Sequence, residues 1–501
     1  MNISENPIFI TQKRLTHRAG VLAAVLIAAL IGLSLLSGLI AYLADPQDFN
    51  FRSPQEAGKI FYGWTIGVEI LVLVIGGFSK ISRTLAEERK AGLWDSNCLT
   101  PLKPAQIVSG YWLGSGLREF FMAAILAGTG LVICALAKLP LAIWPGTQIL
   151  ILSTALFFGL LASLVGMAFQ KPQTGILLIG VLVIFYMPSL AFSRFTVTNF
   201  LLPIYSIANL FSGGDDPGRD WSDWPDIFGL SVPPILLSLA LQFTLGIFLW
   251  RAAVRKTANP FQPLLLRWEA IAIFALLIVS QHALVWNIWH GAFGFAHNYS
   301  YQNGVDESAL LAITHCGTIL LGIMILGFAS PMPERVRLEA LRAGGGNLQM
   351  IFPRSAVSLA LALAVVAAIA SLPQFISSFG DEGIVWLLAA SNLLFFFLMF
   401  SLLLEFCRLR FKRRALGFVA LWLFVLCLLP FILAGVFSDS ALAKISFLAP
   451  GTVAVSDSTA DLKFLTGVTF AHAGVVLLLF LAWRQQWKLL LAKATAVPPS
   501  R

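Results

Sequence analysis

The feature that most constrains the fold of this chain is a series of twelve apolar stretches, each close to the length that crosses a bilayer. A transmembrane helix needs about 20 apolar residues, and every backbone polar group within the hydrocarbon core must be bonded inside the helix. The sequence therefore predicts an all-α polytopic membrane protein with about 12 transmembrane helices. The predicted spans are residues 20–43, 60–79, 108–137, 146–169, 175–192, 227–250, 268–290, 308–330, 355–378, 383–404, 416–437 and 464–483.

Composition and charge point to the same class of protein. Hydrophobic residues make up 58% of the 501 residues and charged residues only 12%, about half the charged fraction of a soluble domain. Most of the 34 Lys and Arg fall in segments that are cytoplasmic if the N-terminus is inside, so both termini are predicted to be cytoplasmic in the plasma (cell inner) membrane. The net charge of +9 then reflects topology and anionic membrane lipid. Nucleic acid is not an expected partner.

Three features recur about half a chain apart and predict an internal repeat. The segment ENPIFITQKRL precedes the first span and ANPFQPLLLRW precedes the seventh. Long cytoplasmic loops follow spans 2 and 8, and short Pro-containing apolar segments at 201–211 and 447–457 precede the last span of each half. We predict two parallel six-span repeats, residues 1–250 and 251–501, related by a pseudo-twofold axis along the membrane normal.

The cytoplasmic loop after span 2 is too long and too polar for a simple turn. Residues 81–91 predict an amphipathic helix along the membrane surface, with its charged residues exposed. Gly92 is suited to end that helix in a left-handed conformation. Leu93 and Trp94 would then present an apolar and aromatic surface, and residues 100–104 would form a stiff corner before span 3. Such a loop could transmit a push from a cytoplasmic partner to the membrane helices.

The stretch LAEERKAGLWDSNCLTPLKPAQIVSGYWLG resembles the signature loop of permeases of the type-2 class of ABC transporters, which export drugs, lipids and polysaccharides. The resemblance is strong over about thirty residues, and two positions depart from the family pattern: Leu93 replaces the usual Thr and Tyr111 a common Lys. The matching residues are Glu87, Glu88, Arg89, Gly92, Asp95, Leu99, Thr100, Pro101, Leu102, Pro104, Ile107 and Gly110.

The resemblance implies two loops that contact a cytoplasmic ATPase, in two copies. A path walled by Phe and Leu would suit an amphipathic or lipid-like substrate better than a small ion. The 201–211 and 447–457 segments resemble the family's re-entrant outer helices. Whether the chain works alone or beside accessory membrane subunits stays open. The implied ATPase-coupling residues are Glu87, Glu88, Arg89, Gly92, Leu93, Trp94, Asp95, Thr100, Pro101 and Pro104, and those of a second coupling loop at 333–355 are Glu334, Arg337, Glu339 and Arg342.

The sequence contains no P-loop motif for ATP hydrolysis. A P-loop requires GxxxxGK[ST], and the Gly58-Lys59 pair has neither the first Gly nor the final Ser or Thr. The resemblance therefore places ATP and Mg²⁺ in the partner ATPase. We expect the chain not to be an enzyme, and to have no catalytic, cofactor-binding or metal-ligating residues of its own.

Three charged residues lie well inside predicted spans, away from the span ends, where an unpaired charge costs about 2.5 to 3.5 kcal/mol. Glu69 lies in span 2, and Arg118 and Glu119 lie in span 3. We predict that Glu69 pairs with Arg118, which would leave Glu119 facing a polar cavity or neutral.

Two other function classes compete with an exporter permease. An ion-coupled secondary transporter could use Glu69, Arg118 and Glu119 as a coupling relay, although these charges are confined to one half. A membrane glycosyltransferase could use Asp45 or Asp48 as a base, but the large outside domain of such enzymes is missing.

Overall fold

The structure is a computed structural model of the whole chain. It describes residues 6–16, 20–44, 53–168, 197–202, 206–207, 209–210, 226–227, 230–259, 262–292, 317–319, 321–323, 325–330, 333–342, 351–377, 381–411, 415–429, 433 and 462–496.

The described residues are almost entirely helical, and the protein is an all-α polytopic membrane protein. The helices are α1 Pro7–Thr16, α2 Gly20–Ala44, α3 Pro54–Ile70, α4 Gly77–Lys90, α5 Leu93–Cys98, α6 Pro104–Ser115, α7 Leu117–Leu136, α8 Ile143–Ala168, α9 Thr198–Leu201, α10 Pro234–Ala258, α11 Arg267–Ala292, α12 Pro333–Arg342, α13 Ala356–Ser377, α14 Asp381–Phe411, α15 Ala415–Leu423 and α16 Leu462–Ala496. Irregular helical turns occupy Leu71–Gly76 and Phe424–Leu428, both π-helical, and Phe352–Arg354, a 3₁₀ turn; two strands, Asp226–Ile227 and Leu230–Ser231, have two residues each.

Eight helices in the described part of the chain are long and apolar enough to cross a membrane. They correspond to predicted spans 1, 2, 3, 4, 6, 7, 10 and 12. Predicted span 9 corresponds to α13, whose apolar part is shorter, and predicted span 11 begins with α15. Predicted span 5 lies outside the described residues, and span 8 is described only in pieces between 317 and 330. The total of twelve spans and the internal repeat therefore stay predictions.

The second span is longer than predicted because the helix does not stop at the polar residues that follow it. Helix α3 is capped by Ser53, whose hydroxyl accepts a hydrogen bond from the backbone N–H of Glu56 at 3.1 Å, and Pro54 is its first residue. The helix passes through the π-helical turn into α4 without leaving helical geometry. The predicted separate surface helix at 81–91 is wrong, because residues 81–90 form the last turns of this helix.

The third span is interrupted where the sequence predicts a continuous helix over 108–137. Helix α6 ends at Ser115, and α7 starts again after Gly116, whose φ of −89° and ψ of 3° lie outside the α-helical region. This break lies near the π-helical turn, since a Cβ at Gly76, the last residue of that turn, would come within 3.7 Å of Glu119 in the first turn of α7. Two neighbouring helices therefore depart from regular geometry at the same level.

The chain forms two compact units, one from Met1–Pro225 with Leu230–Leu264 and the other from Asp226–Gly229 with Leu265–Arg501. In the first unit, α8 packs on α4 and α10, and α7 packs on α2 and α3. The contact between α8 and α4 is close: a Cβ at Gly166 would come within 2.8 Å of the Ser82 carbonyl oxygen. A side chain at Gly166 would therefore push the two helices apart.

In the second unit, α14 packs on α13 and α16, and α11 packs on α13. A buried polar cluster joins α14 to α16: Asn392 donates to Thr469 Oγ1 at 2.8 Å, and His472 Nδ1 lies 2.8 Å from Asn392 Oδ1. Such bonds between transmembrane helices fix their register, because an unpaired amide in this environment is costly.

Candidate functional site

The loop that carries the resemblance is short and built from defined turns. Helix α4 ends at Lys90, and Gly92 has a φ of +74°, as expected for a left-handed helix terminator. The short helix α5 follows. The turn after it leads to Pro104 in the first turn of α6, where the Gln106 side chain accepts a hydrogen bond from the Lys103 backbone N–H at 3.0 Å.

A polar cluster holds this loop against the helices beneath it. The Tyr111 hydroxyl donates to the Glu88 carboxylate, whose other oxygen accepts from Gln12 Nε2 at 2.5 Å. Asn97 in the loop donates to the Tyr111 hydroxyl oxygen at 2.5 Å. The ring of Trp94 packs on Tyr111 with centroids 5.3 Å apart. Four segments, α1, α4, the loop and α6, therefore meet at one carboxylate.

The N-terminal helix α1, which sequence reasoning missed, completes the support. Asn6 donates to the backbone carbonyl of Gln106 at 2.6 Å, and its side-chain oxygen accepts from the Ile8 backbone N–H at 3.0 Å. Helix α1 lies tightly on α6, because a Cβ at Gly110 would already be 3.0 Å from Ile8. Asn is a common N-cap residue and Pro a common first residue of a helix, so Asn6 and Pro7 allow the start of α1 to be predicted from the sequence.

The exposed face of the loop is apolar at two positions. Leu93 is 54% exposed and Leu99 87% exposed. Glu87 and Lys90 are exposed as predicted, and Glu87 forms an ion pair of 2.7 Å with Arg83. Thr100, Pro101 and the backbone of Asp95 lie in the same loop, with the Asp95 side chain outside the described residues.

Three of the predicted surface residues are not on the surface. Trp94 is only 3% exposed, because its ring packs on Tyr111. Glu88 is half-buried in the polar cluster, and Arg89 is half-buried because it donates to the backbone carbonyl of Met167 in α8. These side chains hold the loop in place and leave the two leucines as its apolar surface.

The second predicted coupling loop has a different construction. Helix α12 exposes Glu334 and Glu339, and Arg335 lies 3.4 Å from Glu339 one turn on. Val336 is buried in a cluster with Trp483 and Trp487 of α16. Arg337 and Arg342 belong to α12, but their side chains, and residues 343–350, lie outside the described part.

The three intramembrane charges pair differently from the prediction. Arg118 Nη2 lies 3.0 Å from Glu119 Oε1, and Glu69 accepts a hydrogen bond from Gln148 Nε2 at 3.1 Å. The predicted pair of Glu69 with Arg118 is wrong, because the two lie at different levels. Glu119 is beside Gly76, where a Cβ would come within 3.7 Å of its Cγ. Gly76 is about 10 Å along the helix from Glu69, at 1.5 Å per residue.

The 201–211 segment is described in part and packs against α10. Gln242 of α10 donates to the backbone carbonyl of Leu201 at 3.0 Å and to Thr154 Oγ1 at 2.9 Å. Ser206 lies 2.7 Å from Ser238, one turn earlier on α10. The segment therefore follows α10 for about one turn. A re-entrant path stays a prediction, and 447–457 lies outside the described residues.

Comparison with known proteins does not identify this chain. No protein-family model, no curated protein and no solved structure matches it. Among the described residues, no group of three or more His, Cys, Asp or Glu is arranged to hold a metal ion.

Proposed function

We propose that this chain is the transmembrane permease subunit of an ATP-driven ABC exporter in the cell inner membrane. The observation that carries the proposal is the loop between α4 and α6, which combines an exposed apolar surface with a fixed base. Leu93 and Leu99 are exposed, while Glu88, Tyr111 and Trp94 hold the loop from below. Large apolar residues exposed in a loop outside the membrane-spanning part of a helix are candidate anchors for a protein partner.

The docking partner in this proposal is a cytoplasmic ABC ATPase, in two copies, which supplies ATP and Mg²⁺. A push on the loop reaches α4 directly, because only Ala91 and Gly92 separate α4 from α5. It also reaches α6 through Pro104, which begins that helix. The substrate would be amphipathic or lipid-like, passing through a path lined by the apolar spans.

The decisive experiment is co-purification of the tagged protein in mild detergent, followed by mass spectrometry and an ATPase assay. The test variant is the double change Leu93→Ala and Leu99→Ala, which removes the apolar surface and leaves the Glu88 cluster intact. The control is Leu141→Ala, because Leu141 is 63% exposed in a different loop. We expect an ABC ATPase with the wild type and the control, and at least a tenfold loss with the double variant, since two exposed anchors of this kind are worth at least about 1.4 kcal/mol together.

An ion-coupled secondary transporter is the second candidate, favoured by one observation. Glu69 and Glu119 are buried in the first unit, and an intramembrane carboxylate is a functional-site hypothesis by default. Purified protein in liposomes distinguishes the two classes. Uptake driven by an imposed ion gradient with no ATPase present would favour this candidate, and the absence of an ABC ATPase from the wild-type preparation would remove the support for the first.

A further inference from the structure

Helix α1 lies where the chain first enters the membrane. Its ten residues include Gln12, Lys13 and Arg14, so the helix is too short and too polar to cross the bilayer itself. Helix α2 follows within a few residues and contains the membrane-length segment Val21–Leu43. The side chains of α1 are therefore held close to the phospholipid headgroups.

The exposed side of α1 is positively charged. Lys13 and Arg14 are both exposed in its last turn, and Arg18 follows in the sequence before α2. No Asp or Glu occurs in the sequence between Glu5 and Asp45, so this part of the chain supplies no carboxylate of its own to these cations. Clusters of basic residues next to a membrane-spanning helix attract anionic lipid headgroups.

The buried side of α1 is seated on α6 and bonded to the base of the loop. Gly110 and Gly114 lie one turn apart on α6 and leave room for α1. A Cβ at Gly114 would lie only 2.8 Å from the Cβ of Gln12. On the same side, Gln12 donates to the Glu88 carboxylate at 2.5 Å. One short helix therefore joins a cationic outer face to the polar cluster beneath the loop.

We propose that α1 binds the headgroups of anionic phospholipids through Lys13, Arg14 and Arg18, and that the bound lipid orders the loop between α4 and α6. The connection to the loop is the bond from Gln12 to Glu88, the carboxylate at the centre of the cluster that holds the loop. Lipid that fixes α1 in place also fixes this donor.

The proposal is tested by amide hydrogen exchange of the purified protein in two kinds of nanodisc. One contains phosphatidylcholine alone, and the other contains equal parts of phosphatidylcholine and phosphatidylglycerol. We expect exchange in residues 7–16 and 93–103 to be at least about fivefold slower in the anionic membrane, since each basic residue near such a surface contributes about that factor. High salt should remove most of this difference, because it screens exposed charges.

Two outcomes of this experiment would overturn the proposal. Equal exchange in the two membranes would show that α1 does not respond to lipid charge. Slower exchange when inorganic phosphate is added to the neutral membrane would assign the cations to a free anion, since the proposal requires headgroups held at the membrane surface.

A double variant ties the response to α1. Lys13→Gln with Arg14→Gln should remove most of the difference between the two membranes. The matched control is Arg484→Gln with Lys488→Gln, which makes the same change in charge at two exposed positions of α16 in the other unit. The control should respond as the wild type does. An equal loss of response in both double variants would contradict a site on α1. Faster exchange of the Lys13 and Arg14 variant in both membranes alike would mean that these cations only stabilise the end of the helix.

A single variant tests the connection to the loop. Gln12→Ala removes the bond to Glu88 and leaves the exposed cations in place. Anionic lipid should then still slow exchange in residues 7–16 but no longer in residues 93–103. Thr11→Ala, a change at the exposed neighbouring position, is the control. A loop response that persists in Gln12→Ala would contradict the connection. These measurements need no ATPase, so their outcome is independent of the proposed function.

Discussion

The two loops predicted to be cytoplasmic and to receive the ATPase are anchored in different ways, each within its own unit. The loop between α4 and α6 is held at its middle and its base by the Glu88 cluster. The segment between α12 and α13 is held at its end: Glu405 accepts hydrogen bonds from the Ala356 backbone N–H and from Trp483. Arg267 adds a bond of 2.6 Å to the Ser355 carbonyl.

The position of each anchoring carboxylate, Glu88 or Glu405, decides which part of the protein it holds in place. A carboxylate at the start of α13 fixes the helix, because it bonds an N-terminal N–H and interacts with the helix dipole. A carboxylate beneath a loop fixes the surface that the loop presents. The Glu88 cluster therefore fixes the surface of the first loop, and Glu405 fixes the start of α13.

The largest effect is expected from Glu405→Ala. Glu405 is buried and lies close to the half-buried Arg408, so the change removes the carboxylate beside that guanidinium and the acceptor of two buried donors, the Ala356 N–H and the Trp483 indole N–H. Such a loss costs about 3 kcal/mol of the free energy of unfolding. Tryptophan fluorescence during denaturation measures it, with Glu405→Gln as a control that keeps an acceptor for Ala356. Equal stabilities of Glu405→Ala and wild type would show that Glu405 does not anchor the start of α13.

Glu88→Ala should lower the free energy of unfolding by about 2 kcal/mol, because Tyr111 and Gln12 both lose a charged acceptor. The loss should appear mainly as faster amide hydrogen exchange in residues 93–103, measured by mass spectrometry. Glu87→Ala is the matched control on the exposed side of the same turn, with an expected effect below about 0.5 kcal/mol. Unchanged exchange in both variants would show that the cluster does not hold the loop.

Gly92→Ala should destabilise the loop by about 1 kcal/mol, since a φ of +74° is unfavourable for a residue with a Cβ. No neighbour stands in the way of that Cβ, so the effect reports backbone conformation alone. Gly63→Ala provides a control of opposite sign. It lies in the interior of α3 in open space, where Ala is better than Gly by about 0.5 to 1 kcal/mol. Thermal unfolding of the two variants in parallel checks the prediction.

The smallest effect is expected from Arg335→Ala in α12. Its ion pair with Glu339 is partly exposed on both sides, and pairs of this kind contribute about 0.5 kcal/mol or less. Unfolding in low and high salt should therefore give nearly equal values for variant and wild type. A cost above about 1 kcal/mol would mean that the second loop is anchored along α12 as well as at its end.

The eight membrane-length helices in the described part of the chain could be predicted from the sequence, because a run of about 20 apolar residues is long enough to cross a bilayer. The left-handed turn at Gly92 could be predicted for a similar reason, since few residues other than Gly adopt that conformation. The identity of these elements depends on local chemistry. The residues at which an element begins and ends do not follow from local chemistry, as the continuation of α3 into α4 and the break at Gly116 show.

The pairing of side chains could not be predicted, because it depends on the relative height of packed helices. The sequence predicts Trp94 on the surface because it follows the helix end at Gly92, yet its ring is covered by Tyr111, seventeen residues later in the chain. Glu69 was paired with Arg118 on the assumption that both lie at mid-span. A shift of two helical turns between neighbouring helices was enough to change both partners.

The continuous helix from Pro54 to Lys90 has 37 residues, and at 1.5 Å per residue it measures about 55 Å. The hydrocarbon core measures about 30 Å, so a substantial part of the rod projects beyond it or the rod is steeply inclined. The π-helical turn divides this rod, and 14 residues, about 21 Å, lie between that turn and Lys90. A bend of about 10° at the turn would displace the far end by about 4 Å, roughly two-thirds of the height of one helical turn.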